Sequence, residues 1–285
     1  MNSTRTLTAV IGYPISHSLS PLMQNAAFQA CGLTDWVYTA FPVAPDTVSG
    51  FVAGLRALPF RGINVTVPLK QAAVSLVDRL TDRARRAQSV NTLVFEDTGE
   101  IWGDSTDGAW FLRSVECAGL TLNERTPVVV LGSGGSGRAV VCAVRERSAP
   151  VTLVSRDMGS ARAVLDALQL DGEAAAYGSD ALRRRLGDAS VLVNCTPVGM
   201  GMSAGEMPPV DLSLLSREAW VIDLIYRPAE TRFMRAAADD GRRVMNGLPM
   251  LAHQGAESFE IWTGCQAPLG VMEAALKRGI EGDGG

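Results

Sequence analysis

A chain of 285 residues has room for two domains of ordinary size. Its net charge of −4, from 30 acidic and 26 basic residues, provides no basic surface for a phosphate backbone and argues against nucleic acid as a partner. Apolar runs such as Val128-Val129-Val130-Leu131 fall far short of the roughly 20 residues needed to span a bilayer, and the amino terminus lacks the basic start and apolar core of a signal peptide. A cytoplasmic protein with no membrane partner is expected.

In chain order, residues 7–12 read as a strand, 21–30 as an amphipathic helix, 37–42 as a strand, 46–57 as a helix and 62–67 as a strand. Segments 91–95 and 101–103 flank a turn at Asp97-Thr98-Gly99 and read as a hairpin added to that βαβαβ series. A helix over 109–118 leads to a second series, with strands at 128–131, 151–154, 191–194, 221–223 and 243–245. Helices are expected between them at 136–147, 160–168 and 231–240. The stretch 247–280 reads as two helices separated by Thr263-Gly264-Cys265-Gln266-Ala267-Pro268, and the last four residues as a frayed tail. Such alternation of strand and helix predicts an α/β fold with mostly parallel sheets.

The five cysteines are scattered with no CxxC pair, so free thiols are expected rather than zinc or a redox dithiol. His17 and His253 are the only histidines, which leaves no histidine-rich metal site and shifts any acid–base role to another residue type.

Two polar residues stand at the ends of apolar segments. Lys70 closes Asn64-Val65-Thr66-Val67-Pro68-Leu69-Lys70, and Asp107 lies in Gly103-Asp104-Ser105-Thr106-Asp107-Gly108. A lysine just past a strand can point into the crevice at the strand's carboxyl end, where open α/β sheets bind ligands. Taken alone, the aspartate serves equally well as the start of the next helix.

The strand at 128–131 runs directly into Gly132-Ser133-Gly134-Gly135-Ser136-Gly137, a complete GxGxxG that opens a helix. The first glycine permits the tight turn, the second lets the backbone approach a pyrophosphate, and the third allows close packing of helix on strand. This motif in this context predicts a dinucleotide site. The ribose 2′ position should be read at Ser155-Arg156-Asp157, after the next strand. Arg156 suits a 2′-phosphate and favours NADP; Asp157 suits a free hydroxyl and leaves NAD open, unless it merely begins the following helix.

Further strings complete a recognisable set: Gly12-Tyr13-Pro14-Ile15-Ser16-His17-Ser18-Leu19-Ser20-Pro21, Val90-Asn91-Thr92, Asn194-Cys195-Thr196-Pro197-Val198-Gly199-Met200, Asp223-Leu224-Ile225-Tyr226-Arg227-Pro228, and Gln254 ahead of Trp262-Thr263-Gly264. Together with the segments ending at Lys70 and Gly108 and the glycine fingerprint, they make the chain resemble the shikimate dehydrogenases from about residue 12 to residue 270. That resemblance implies that Ser16 and Ser18 bind a substrate carboxylate with Tyr226 near the same end. It implies that Asn64, Thr66, Asn91, Asp107 and Gln254 contact ring hydroxyls, that Lys70 is the acid–base residue, and that Asp107 is its partner. Thr196, Leu224 and Gly247 would lie by the nicotinamide, in a cleft between two domains.

The implied architecture is an N-terminal mixed α/β substrate domain, residues 1–105 completed by 246–285, and a Rossmann-type doubly wound dinucleotide-binding domain over 106–245. The implied activity is reversible NADP-dependent reduction of 3-dehydroshikimate to shikimate in aromatic amino-acid biosynthesis, on a small-molecule substrate, by a monomer or homodimer. Three positions depart from the family pattern: Ser105 where asparagine is common, Gln24 where histidine is usual, and Ser155-Arg156-Asp157 where many members read Asn-Arg-Thr. The last keeps an NAD-dependent quinate, shikimate or amino-shikimate dehydrogenase as an alternative. A non-catalytic dinucleotide-binding regulator is the alternative of another class.

Overall fold

Short runs of buried aliphatic residues set the strands, and the placement of caps and prolines sets the helices between them. The computed structural model describes residues 5–281, so the terminal glycine-rich tail lies outside the described residues. Residues up to Asp107, rejoined by those from Leu251 onward, form one unit, and Gly108–Met250 form a second.

The first unit contains β1 (Thr6–Gly12), α1 (Ser20–Ala30), β2 (Trp36–Pro42), α2 (Val48–Leu55), β3 (Phe60–Val65), β4 (Arg79–Leu80), α3 (Asp82–Ala87), β5 (Thr92–Phe95) and β6 (Ile101–Asp104). Its sheet runs β2-β1-β3-β5-β6-β4, with β1 parallel to β2 and β3, and β5 antiparallel to both β3 and β6. The 97–99 turn therefore closes the expected hairpin. Pro21 enters α1 in its first turn, where a missing N–H costs nothing. Asn25 on that helix donates to the Tyr38 carbonyl at 2.8 Å and accepts its amide at 2.9 Å, satisfying backbone groups on the edge strand β2.

The second unit follows with α4 (Asp107–Cys117), β7 (Val128–Leu131), α5 (Gly135–Glu146), β8 (Val151–Ser155), α6 (Met158–Ala167), β9 (Glu173–Ala176), α7 (Asp180–Asp188), β10 (Val191–Asn194), β11 (Trp220–Asp223), α8 (Arg232–Asp239) and β12 (Arg243–Met245). Its six strands are all parallel in the order β12-β11-β10-β7-β8-β9. This is the doubly wound Rossmann order, with the switch point between β7 and β10. β7 and β10 are buried along their whole length, as expected of strands covered on both faces. The chain then forms α9 (Leu248–Thr263) and α10 (Leu269–Glu281). Among the described residues no helix is long and apolar enough to cross a membrane.

Differences from the sequence reading are local. β3 ends at Val65 rather than at residue 67, and the chain turns at Val67 and Pro68, where a proline cannot donate to a ladder. β4, α3, β9 and α7 were not anticipated; β4 has only two residues, and β9 reads Glu-Ala-Ala-Ala, without a β-branched side chain.

One close approach ties α9 to the first sheet. The Trp262 indole donates to the Leu93 carbonyl at 3.0 Å, and a Cβ on Gly62 would stand 1.9 Å from its Nε1. Gly62→Ala should therefore overpack this contact and cost on the order of 1–3 kcal/mol. A lowered urea midpoint with an unchanged slope would show this; an unchanged midpoint would mean the indole shifts freely.

Candidate active site

Lys70 and Asp107 meet in the first unit. Lys70 Nζ lies 2.5 Å from Asp107 Oδ2, and both residues are buried, with 9% and 3% of their surfaces exposed. Backbone pairing delivers them to one place. The Lys70 carbonyl accepts the Val90 amide at 2.9 Å, while the amide of the next residue, Asn91, bonds the Asp104 carbonyl at 2.9 Å. Asp107 is the first residue of α4, so its carboxylate also sits at a helix amino end.

Asn91 locks the pair's surroundings. Its Oδ1 accepts the Thr106 amide at 2.9 Å, which fixes the amide orientation. Nδ2 then donates to Thr106 Oγ1 at 2.8 Å and Asp107 Oδ1 at 3.0 Å, with Gln254 Oε1 at 3.5 Å. Asp107 thus has one oxygen on the ammonium and the other on an amide. Buried Asp104, three residues earlier, is pushed up by burial, but Arg83 and Thr81 hold its carboxyl below the usual range. Arg83 also reaches Glu257 Oε1 at 2.6 Å, tying the end of β6 to α9.

Asn64 is more committed to the protein than its expected role suggests. Its Oδ1 accepts the Tyr38 hydroxyl at 2.7 Å, and its Nδ2 donates to Ser258 Oγ at 2.8 Å and faces the Asn91 carbonyl at 3.3 Å. A carbonyl can only accept, so the orientation is unambiguous and one Oδ1 lone pair remains. Ser258 stands one helical turn after Gln254 and donates to its carbonyl at 3.0 Å. Tyr38, Ser258 and Thr106 were not singled out from sequence; the four-residue spacing from Gln254 was the available signal for Ser258.

Thr66 is half-buried in the turn after β3, its amide bonded to the Ile11 carbonyl at 2.9 Å. Ser16 is exposed and Ser18 half-buried in the loop between β1 and α1, where Ser18 Oγ accepts the Ser20 amide at 3.3 Å. Tyr226 belongs to the second unit, half-buried beyond β11.

The glycine fingerprint of the second unit has the backbone its sequence requires. Gly132 has φ +102°, and a Cβ on Gly137 would lie 1.9 Å from the Gly132 carbonyl oxygen. By contrast a Cβ on Gly134, the residue before α5, would meet nothing within 4 Å. Space is thus left open over a helix amino end, beside half-buried Ser133, Gly135 and Ser136, where a pyrophosphate fits. After β8, Ser155 is buried and donates to the Asp157 carbonyl at 2.7 Å, while Arg156 is exposed. Asp157 caps α6: Oδ1 accepts the Ser160 amide at 2.7 Å and Oδ2 the Ser160 hydroxyl at 2.6 Å. Those two bonds hold the exposed carboxyl below its usual range.

Past β10, the Thr196 amide and hydroxyl bond Asn194 Oδ1 at 3.0 and 2.7 Å. The Gly247 amide bonds the Ile225 carbonyl at 3.0 Å, and a Cβ there would clash with the Leu224 carbonyl oxygen at 1.9 Å. Beneath these loops lies Asp223, the last residue of β11. It accepts from Asn194, Ile225 and Thr231, and burial pushes its carboxyl up to about 6 despite those donors. Among the described residues no group of His, Cys, Asp and Glu is arranged to hold a metal ion.

These features define a two-domain α/β protein with a Rossmann-type unit and a polar, lysine-containing site in the other unit. Residues 10–93 match the family model for the shikimate dehydrogenase substrate binding domain, and residues 247–277 the shikimate 5'-dehydrogenase C-terminal domain. Shikimate dehydrogenase (NADP(+)) of Methanothermobacter thermautotrophicus is 38% identical over 97% of this chain and 98% of its own. That of Geobacter metallireducens is 41% identical over 96% and 98%. The crystal structure of shikimate 5-dehydrogenase from Thermus thermophilus in complex with NADP(H) and shikimate superposes with a TM-score of 0.84 at 36% identity, covering 96% of this chain and 99% of that one. The chain belongs to the shikimate dehydrogenase family.

Asp223 gives a pH test. Its folded value of about 6 lies above the ordinary carboxyl value of about 3.9, so its contribution to stability is complete below pH ~4 and lost as pH rises through 6. Asp223→Asn should remove a decline of roughly 2–3 kcal/mol between pH 4 and 7, seen by comparing urea unfolding of the two proteins across that range. Parallel pH profiles would contradict the raised value.

Proposed function

We propose that the protein catalyses the reversible NADP-dependent interconversion of 3-dehydroshikimate and shikimate, serving aromatic amino-acid biosynthesis. The observation that carries this reading is the buried Lys70–Asp107 pair, linked through Asn91 to Gln254 in the unit whose residues 10–93 match the substrate-binding model. Ser16 and Ser18 would take the substrate carboxylate. Thr66, Asn91, Gln254 and the remaining lone pair of Asn64 Oδ1 would meet the ring hydroxyls. A polar site of this kind disfavours analogues lacking a hydroxyl, because its own buried groups would be left unpaired.

In the reductive direction the bound dinucleotide supplies the hydride to the carbonyl carbon. Lys70 Nζ donates a proton to the oxygen of that carbonyl, so ketone, hydride and proton give the alcohol. Before the transfer its ammonium stabilises the developing alkoxide. Asp107 holds the ammonium in place, and Asn91 holds Asp107. The open space over Gly134 and the exposed Arg156 suit NADP, with Arg156 meeting the 2′-phosphate, while Ser133, Gly135, Ser136 and Ser155 would border the phosphates.

An NAD-dependent quinate, shikimate or amino-shikimate dehydrogenase is the second reading, favoured by the negative charge beside Arg156. Both oxygens of Asp157 are engaged by Ser160, which weighs against its gripping a ribose hydroxyl. An intact lysine–carboxylate pair weighs against a regulator without turnover.

Initial rates at 340 nm with shikimate and quinate, each against NADP and NAD, should give the highest kcat/KM for shikimate with NADP; quinate with NAD in first place would overturn the assignment. Lys70→Ala should lower kcat by roughly 10²–10⁴-fold while calorimetry still detects shikimate binding, and near-normal turnover would remove Lys70 as proton donor. Arg156→Ala should raise KM for NADP about tenfold with little change for NAD. Asp157→Ser, which preserves a capping side chain, should lower KM for NADP; an NAD-selective loss would instead make Asp157 a ribose ligand.

A further inference from the structure

The second unit contains a buried polar relay that none of the assigned roles uses. Asn194 and Asp223 end adjacent parallel strands and stand in direct register. Both are fully buried. Asn194 Nδ2 donates to Asp223 Oδ1 at 3.0 Å and faces the Val198 carbonyl at 3.3 Å. Its Oδ1, fixed by the Thr196 amide, also takes the Thr196 hydroxyl. The Val198 amide in turn faces Thr196 Oγ1 at 3.3 Å, so the segment after β10 is held from both ends.

Asp223 holds more than Asn194. Its Oδ1 accepts the Ile225 amide at 3.1 Å and its Oδ2 the hydroxyl of Thr231, the α8 cap, at 2.7 Å. One carboxylate therefore ties together the segment after β10, the segment after β11, and the start of α8. These segments lie at the carboxyl ends of the sheet, next to its switch point, where doubly wound folds bind their ligands. The Thr196 side chain adjoins the fingerprint turn, since a Cβ on Gly132 would lie 2.8 Å from Thr196 Cγ2.

We propose that Asp223 is a positioning residue for the nicotinamide half of the dinucleotide: through Asn194 it fixes the Thr196–Val198 segment, and through the Ile225 amide it fixes the Leu224–Ile225 backbone. Leaving the carboxylate inside the unit is costly unless it is fully bonded, and the donors that satisfy it are the ones that shape the two segments. The inference rests on the dinucleotide-dependent reading above. It separates the adenine half, bordered by Gly134 and Arg156, from the half that Asp223 controls.

Two ligands test this on the full chain: NADP⁺, and adenosine 2′,5′-bisphosphate, which represents the adenine half alone. In Asp223→Ala the Asn194 amide, the Ile225 amide and the Thr231 hydroxyl all lose their acceptor, so NADP⁺ affinity by calorimetry should weaken at least tenfold and kcat should fall at least tenfold. Affinity for the bisphosphate should stay within threefold. If Asp223→Ala does not fold by circular dichroism, Thr231→Val against Thr231→Ser carries the comparison, with the NADP⁺-selective loss expected only for valine. Affinities and kcat within threefold of wild type, or equal weakening of both ligands, would overturn the proposal. A wild-type chain that binds neither ligand would remove the dinucleotide reading itself and this inference with it.

Discussion

Two opposite charges kept from water, Lys70 and Asp107, impose the strictest demand in the first unit. Desolvating a carboxylate and an ammonium costs several kcal/mol each in real proteins, and their attraction offsets this only with good geometry and satisfied remaining positions. The structure meets the demand at close range, with Asn91 on the second carboxylate oxygen and backbone bonds from both flanks. Such a pair contributes little to stability compared with apolar side chains of the same volume. On the proposed function its presence is preorganisation: an ammonium already oriented would need no rearrangement when negative charge develops on a substrate oxygen.

The same constraint recurs in the second unit with a different residue set. Asn194 and Asp223 end their strands as polar residues after fully apolar runs, and Asn64 is a buried polar residue one short of the end of β3. In each case the sheet interior is closed by aliphatic packing and the carboxyl ends are polar, because that is where the strands stop burying both faces. The backbone of the following turn then draws its hydrogen bonds from these side chains. Positioning of the turn and satisfaction of the buried polar group are one event, so a substitution changes both.

Much of this was legible in the sequence because the informative features are local. Val128–Leu131, Val191–Asn194 and Arg243–Met245 are strands at the bounds their apolar pattern gives, and the hairpin closes at its glycine turn. α7 was illegible because Leu182 and Leu186 are its only buried residues on a strongly polar helix. β9 lacks the branched side chains that mark a strand, and only pairing with β8 makes it one. In the site, Lys70 and Asp107 stood out as polar ends of apolar segments, whereas Tyr38 and Ser258 reach Asn64 across 26 and 194 residues of chain. No spacing rule carries that information. The departures at Gln24 and Ser105 both fall on buried residues; Gln24 donates to the Gly255 carbonyl at 2.9 Å and so bridges α1 to α9.

Asp157 shows how a conflict in sequence resolves through competing demands on one side chain. The residue before α6 must satisfy orphan amides, and an aspartate there is among the strongest caps. Capping commits one lone pair of each carboxylate oxygen to Ser160 and so fixes the carboxylate on the start of α6. Its charge is exposed to solvent and screened over about 8–10 Å at ordinary ionic strength. Arg156 keeps both its charge and its planar array of donors, which match a phosphate directly. On the proposed reading of an NADP 2′-phosphate beside Arg156, a screened repulsion set against direct, charge-assisted hydrogen bonds leaves the arginine dominant.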